Sequence, residues 1–402
     1  MKDIFVVSDN IFSPLGLTTA ENFSRLKAGV SAVRRHDRPE MADEPFYAAL
    51  FDGGVDASGP YTAATTGAPG DFSSPVAYTK FEQLLLASIS DVLKTGDVDP
   101  GDPRTILILS TTKGNISLLE TEAVGAGGIG RVGRAAANPA LDRRIALSTS
   151  ARLIADHFHF ANTPVVISNA CISGILALVT AMRLIRSGSY NMAVVAGADV
   201  ISKFVLSGFG SFQAISPGPC RPFDRSRDGI NLGEGAGTVV LSSREKYRGG
   251  VRLRGGAVGN DANHISGPSR TGQELCQVIN KSLAEAGLTP GDIGFISAHG
   301  TATLYNDEME AKAITLAGLQ SVPVNSLKAY YGHTLGAAGL IESIVTLQSM
   351  REHLVLPSLG FADNGVSMPL NICSSLLHTS LNNCLKTASG FGGCNAAVVM
   401  SQ

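Results

Sequence analysis

Charge is scarce in this chain. Only 16% of its residues are Asp, Glu, Lys or Arg, against about a quarter in an average globular protein. The 32 basic and 34 acidic side chains nearly cancel, leaving a net charge of -2. No global field exists to attract a polyphosphate chain, so nucleic acid is not an expected ligand. Long hydrophobic runs are missing too. No stretch reaches the roughly 18 apolar residues of a membrane helix, and the apolar run in MKDIFVVSDN is too short for the core of a secretory signal. The expected compartment is the cytoplasm, with no membrane partner. The six cysteines (Cys171, Cys220, Cys276, Cys373, Cys384 and Cys394) form no CxxC pair, and no two lie close to a histidine in zinc-ligand spacing, which argues against disulfides and structural zinc.

What is present is interior. At 402 residues and 44% apolar, the chain exceeds the roughly 250–300 residues that one core organises, so two structural units are expected. Its 45 glycines cluster in short patches, the signature of tight turns around a site. Ile106 to Leu109, Pro164 to Ser168, Met192 to Ala198, Thr238 to Ser242, Ile293 to Ser297, Val322 to Asn325 and Ala396 to Met400 look like strands buried on both faces. Phe81 to Leu93, Ile172 to Ile185, Gly272 to Ala286 and Gly336 to Met350 carry apolar residues at the helical period. The fold class is α/β. ILILSTTKGN is echoed by IGFISAHGTA, each a strand running into a small polar turn. The echo suits a duplicated unit with its seam in Arg244 to Gly256, dividing the chain into halves 1–250 and 251–402.

The chemistry concentrates in three places. In TPVVISNACISGILALV a strand ends at Ser168 and a helix is expected from about Cys171. A thiol at a helix N-terminus has its pKa lowered by the dipole and the free N–H groups, which favours the reactive thiolate. Taken alone, a cysteine in such a turn is more commonly a buried structural residue. Two histidines, His299 in FISAHGTATLYNDEME and His333 in NSLKAYYGHTLGAAG, are expected at strand ends. Either alone would read as a hydrogen-bonded core histidine; with Cys171 they look like a site. Lys328 lies in an otherwise uncharged segment and needs a partner, which Glu342 can supply. The segments GEGAG and GFGG are each followed by a strand, whereas a dinucleotide or phosphate loop opens a helix, so no nucleotide is expected.

NACISG around Cys171, CRPFDRSRDGINLGEGAG from Cys220, HGTATLYND from His299, KAYYGHTLGAAG from Lys328 and GFGGCNA from Gly390 together resemble the β-ketoacyl-acyl carrier protein synthases, the elongating condensing enzymes of fatty acid and polyketide synthesis. The resemblance covers most of the chain and is weaker over 53–73 and 120–159. It implies a thiolase-like fold with two pseudo-symmetric βαβαβαββ halves in five layers, α-β-α-β-α, the first holding the nucleophilic Cys and the second the His, Lys, His set. It implies an acyltransferase (3-oxoacyl-acyl carrier protein synthase) that performs a decarboxylative Claisen condensation with malonyl-carrier. Cys171 would take the acyl chain, His299 and His333 would stabilise the enolate, and Lys328 would orient that site, with Glu342 and Asp307 in support. Backbone N–H groups of Cys171 and Phe391 would form the oxyanion hole, Phe391 would act as a gate, and Thr301 and Thr303 would bind pantetheine. No metal and no resident cofactor are implied, because phosphopantetheine arrives on the acyl carrier protein. The implied assembly is a homodimer, with a heterodimer as the other option.

Three positions depart from the family pattern: Ile230 stands where an aromatic is common, Gln213 where a basic residue is frequent, and Ala329 where Ser or Gly usually follows the lysine. They leave the carrier, and the choice between fatty acid and specialised polyketide or polyene synthesis, open. Two other functions compete. A non-catalytic chain-length-factor-like partner would lack the nucleophile. A degradative thiolase would use a second cysteine, for which Cys394 is the candidate, but it would not need the His, Lys, His set.

Overall fold

The computed structural model describes residues 2–51, 77–95, 97–120, 139–263 and 265–402. The 53–73 stretch and residues 121–138, part of the second segment in which the family resemblance weakens, lie outside them. Two runs of eight elements share one order. The first is β1 (Ile4–Phe12), α1 (Lys80–Thr95), β2 (Thr105–Ser110), α2 (Leu147–His157), β3 (Val165–Ile167), α3 (Ser173–Arg186), β4 (Met192–Asp199) and β5 (Gly235–Ser242). The second is β6 (Arg252–Asn260), α4 (Gln273–Ala286), β7 (Phe295–Ser297), α5 (Leu304–Leu316), β8 (Val324–Asn325), α6 (Ala338–Glu352), β9 (Asn383–Gly390) and β10 (Cys394–Ser401). Each run is βαβαβαββ. The segments of the sequence echo fall on the equivalent strands β2 and β7.

The strand order repeats as well. Across the sheet it runs β8-β7-β9-β10-β6-β1-β5-β4-β2-β3, so each half reads outward from the seam in the same sequence. The halves join where β1 meets β6 antiparallel through Ile4–Leu253 and Phe5–Arg252. Within each half the two outer pairings are parallel and the inner ones antiparallel. Helices α3 and α6 pack against each other and against strands of both halves, while α1 and α2 cover the outer face of the first half and α4 and α5 that of the second. Three apolar cores match this layering: a central one built on α3, α6 and both sheets, and one beneath each outer helix pair. The five layers are therefore α-β-α-β-α, as the resemblance implied.

Two expectations need correction. Val165–Ile167 is half-buried along its length, because among the described residues β3 is the last strand of its sheet and pairs with β2 alone. His333 does not leave a strand directly, since the short helix Lys328–Tyr331 intervenes after β8.

The central helices meet at their first turns. A Cβ on Gly174 of α3 would stand 2.5 Å from the Leu340 backbone nitrogen, and one on Gly339 of α6 would stand 2.8 Å from Ile175 Cγ1. Glycine is therefore required at both by the closeness of the crossing. The turns leading into these helices also correspond. Ala170 (φ 42°) precedes Cys171, and Leu335 (φ 49°) precedes Gly336, both left-handed conformations that cost a side-chain-bearing residue on the order of 1–3 kcal/mol.

Candidate active site

The turn Asn169–Ile172 sets Cys171 between the end of β3 and the start of α3. The helix starts two residues later than expected: α3 begins at Ser173 with Ile172 as its N-cap, so Cys171 stands directly before the cap. Its pKa is not lowered. Burial pushes the Cys171 thiol up to about 12, assisted by the neighbouring Cys394, while Lys328 and the Phe391 N–H act in the opposite direction. The expectation of a standing thiolate fails because the cost of burying a charge outweighs the few N–H groups facing the sulfur.

Three chain segments converge on that thiol. His333 Nε2 lies 2.9 Å from Cys171 Sγ. The rings of His299 and His333 stand edge to face with centroids 5.2 Å apart. Lys328 Nζ donates to the His299 carbonyl at 3.0 Å and faces His299 Nδ1 at 3.5 Å. An ammonium offers only donors, so His299 Nδ1 carries the lone pair and the ring proton resides on Nε2. His333 Nδ1 has no partner among the described residues. Protonating it would bury an orphan N–H, so its proton also belongs on Nε2, facing the sulfur. Burial, followed by the positive charge of Lys328, keeps both imidazoles well below their usual pKa and therefore neutral.

Carboxylates hold this centre in place. Glu342, on α6, pairs with Lys328 as the sequence anticipated. Asp307, on α5, accepts from the N–H groups of Thr301 at 2.9 Å and Phe223 at 2.7 Å, and burial raises its pKa to about 6. Three further groups escaped the sequence reading. Glu310, one turn beyond Asp307, takes the N–H groups of His299 and Gly300 at 2.7 and 2.8 Å. Lys386, on β9, stands 2.8 Å from the second oxygen of Glu342. Asp199, at the end of β4, accepts from Gly336 N–H at 2.7 Å and from Thr111 and the Thr112 and Lys113 backbone. The signals were a second acid on the helix face of Asp307, a lone lysine inside the uncharged strand before GFGG, and an aspartate closing a fully apolar strand.

Asp199 and Gly390 are the last residues of the equivalent strands β4 and β9. The Asp199 carboxylate occupies the N–H of Gly336, the counterpart of Cys171. At the other copy Gly390 carries no side chain to meet the Cys171 N–H, which has no acceptor among the described residues, and a Cβ there would come within 2.9 Å of that nitrogen. The free N–H is thus the kind of group that binds a developing oxyanion.

The centre opens into a pocket of about 750 Å³ whose walls include Cys171, Ile230, Thr301, Thr303 and Phe391. The hydroxyls of Thr301 and Thr303 lie 2.8 Å apart. Phe391 is 37% exposed, and its ring packs on Phe209 and Phe212 at 5.6 and 5.2 Å. Phe209, on the helix Lys203–Ser211, in turn meets His333 edge-on at 6.4 Å and so supplies an aromatic beside the site, where Ile230 lines the pocket wall. Ligand atoms of Cys171, His299 and His333 all lie within 4.8 Å of one another, close enough to ligate a metal. The Lys328 ammonium against His299 makes the place unfavourable for a cation.

A duplicated five-layer frame, with a cysteine at the inner end of one half and a His, Lys, His set from the other, defines a thiolase-like condensing enzyme. The chain belongs to the β-ketoacyl synthase family, and is an enzyme of the acyltransferase, condensing kind. It matches the beta-ketoacyl synthase N-terminal domain over residues 1–247 and the beta-ketoacyl synthase C-terminal domain over residues 251–362. It is 33% identical to 3-oxoacyl-[acyl-carrier-protein] synthase 2 of Vibrio cholerae over 59% of this chain and 62% of that protein. It is 28% identical to the protein of the same name from Rhizobium meliloti over 100% and 99% of the two chains. Among solved structures it resembles the ketosynthase ApeO, in complex with its chain length factor ApeC, from Xenorhabdus doucetiae (TM-score 0.84, 24% identity, 100% of this chain and 98% of that one). A beta-ketoacyl synthase from Burkholderia phymatum is similar (TM-score 0.84, 24% identity, 100% of both chains). No helix among the described residues is long and apolar enough to cross a membrane.

Proposed function

We propose that this protein condenses an acyl group held on Cys171 with malonyl-acyl carrier protein to give a 3-oxoacyl-carrier, in fatty acid or specialised polyketide synthesis. The observation that carries the reading is His333 Nε2 at 2.9 Å from a buried thiol, with the His299 ring edge to face beside it and Lys328 set against His299. In the first half-reaction Cys171 Sγ attacks the thioester carbonyl of an acyl-carrier. The carbon–sulfur bond to the carrier breaks, and the thiol proton passes to the departing pantetheine thiolate. The His333 Nε2–H stabilises negative charge on sulfur as it forms, and the Cys171 and Phe391 N–H groups take the oxyanion.

In the second half-reaction malonyl-carrier loses carbon dioxide, and the electron pair of the broken bond moves onto the thioester oxygen. Neutral imidazoles donate to that oxygen in a dry pocket. The enolate carbon attacks the acyl-Cys171 carbonyl, and collapse returns the Cys171 thiolate, which takes up a proton. Thr301 and Thr303 hold the pantetheine arm that the carrier brings. No resident cofactor takes part.

The partners in this reading are an acyl carrier protein and a second subunit, another copy of this chain, seated on the half-buried apolar edge of β3. A chain-length-factor role is disfavoured by the intact nucleophile. The test is Cys171→Ala: condensation, followed as 3-oxoacyl-carrier by mass spectrometry, should fall to background while the thermal transition is kept. Substantial product from this variant would remove the assignment.

A further inference from the structure

Lys386 has no task in the reaction as written above, yet its placement is demanding. It is completely buried in mid-strand, paired in register with Ser297 on β7 and Val398 on β10. Its Nζ donates to the carbonyls of Ser297 at 3.1 Å, Ala298 at 3.0 Å and Thr387 at 2.7 Å. Its three protons are thereby engaged, so the 2.8 Å approach to Glu342 Oε2 is chiefly a contact between charges. The other oxygen of Glu342 belongs to Lys328. One carboxylate therefore lies between two buried ammonium groups, and the triad carries a net charge of +1.

The Lys328–Glu342 pair is closed without Lys386, and an additional buried cation costs desolvation that a neutral residue of the same shape would avoid. The remaining buried acid nearby, Glu310, has its oxygens engaged by the His299 and Gly300 N–H groups and by the Thr387 hydroxyl. His299 and His333 both lie within electrostatic reach of Lys386.

We propose that Lys386 is a positioning residue for the decarboxylation step. It draws Glu342 away from fully neutralising Lys328 and fixes the carbonyls of Ser297 and Ala298 that lead into His299, so that positive charge is kept beside the histidines where the enolate forms. This role rests on the decarboxylative reading above. The positive charge stabilises the electron pair that moves from the breaking carbon–carbon bond to the thioester oxygen, and Lys386 itself exchanges no proton with substrate.

The test uses the full-length protein. Carbon dioxide release from malonyl-carrier is measured beside acyl loading on Cys171 by mass spectrometry, for wild type, His333→Ala, Lys386→Met, Lys386→Gln and the double variant Lys386→Met with Glu342→Gln. Lys386→Met removes one positive charge while Glu342 keeps Lys328 and Glu310 keeps its N–H and hydroxyl donors, and Lys386→Gln keeps a donor for the carbonyls while losing the charge. Both should release carbon dioxide about tenfold more slowly or worse, with loading within about twofold of wild type. The double variant leaves Lys328 unneutralised and restores the +1, so it should recover part of the lost release, a coupling opposite to that of two structural lesions. No release from wild type, or undiminished release from His333→Ala, overturns the decarboxylative reading and this role with it. Release that depends on His333 but is unchanged in both Lys386 variants overturns the role of Lys386 alone. So does a parallel loss of release and loading without recovery in the double variant, which makes Lys386 a packing residue.

Discussion

Among single residues, the site is governed by where protons are kept. Cys171 stays a thiol at neutral pH because burial raises its pKa to about 12, and the histidines stay neutral because burial and Lys328 lower theirs. The reactive sulfur anion therefore forms with the attack and does not precede it. Alkylation of Cys171 by iodoacetamide should consequently rise about tenfold per pH unit from neutral to beyond pH 10, with no plateau near the ordinary thiol value of about 8.5. A plateau below pH 9, read by peptide mass spectrometry, would mean a standing thiolate. Phe391 supplies the second residue-level expectation. Gly392 and Gly393 adopt φ of 83° and 76°, conformations strained for any β-branched residue. Gly392→Val has free space for its Cβ, so its penalty falls on the turn and hence on Phe391. Steady-state condensation should drop several-fold while the melting temperature moves little. An unimpaired enzyme would leave Phe391 as an ordinary wall of the pocket.

Helices and strands differ in how plainly the sequence announces them. β2, β4 and β10 are continuous apolar runs, and α1 and α4 have a clear apolar stripe, so pattern alone locates them. α5 goes unmarked for a physical reason. Its buried positions include Asp307 and Glu310, while Leu304, Tyr305 and Leu316 face outward at 58%, 71% and 56% exposure, the reverse of an amphipathic code. The functional acids that anchor Thr301 and His299 thus erase the very pattern that would reveal their helix. Cys171 was legible as a site residue through its motif, but its distance from α3 was not, because the left-handed Ala170 turn spends two residues before the helix begins. Lys386 and Asp199 were missed since neither sits in a motif with the nucleophile. The meeting of α3 with α6 carries its own prediction. A methyl at Gly174 would strike the Leu340 backbone, which cannot yield without moving α6. Gly174→Ala should cost about 1–3 kcal/mol, visible in urea unfolding, and should depress Cys171 loading as the turn shifts. A neutral substitution would show the crossing to be softer than its distances state.

For the whole molecule, the question is what covers the free edge of the sheet. Among the described residues, Val165, Val166 and Ile167 have no strand on their outer side, and they present apolar side chains beside the turn that holds Cys171. If a second copy pairs there, light scattering should give twice the 41.7 kDa chain mass. Val165→Lys with Val166→Lys, which opposes like charges across the junction, should halve it with helix and strand content preserved. A monomeric wild type would point instead to an unlike subunit. The duplicated turn has a longer reach. Cys171 and Gly336 stand at matching places in the two halves, one N–H left open by Gly390 and the other stoppered by Asp199. The two halves thus use one turn in two ways: in the second a carboxylate of the chain itself locks the turn to the neighbouring strand, while in the first the same place faces the pocket.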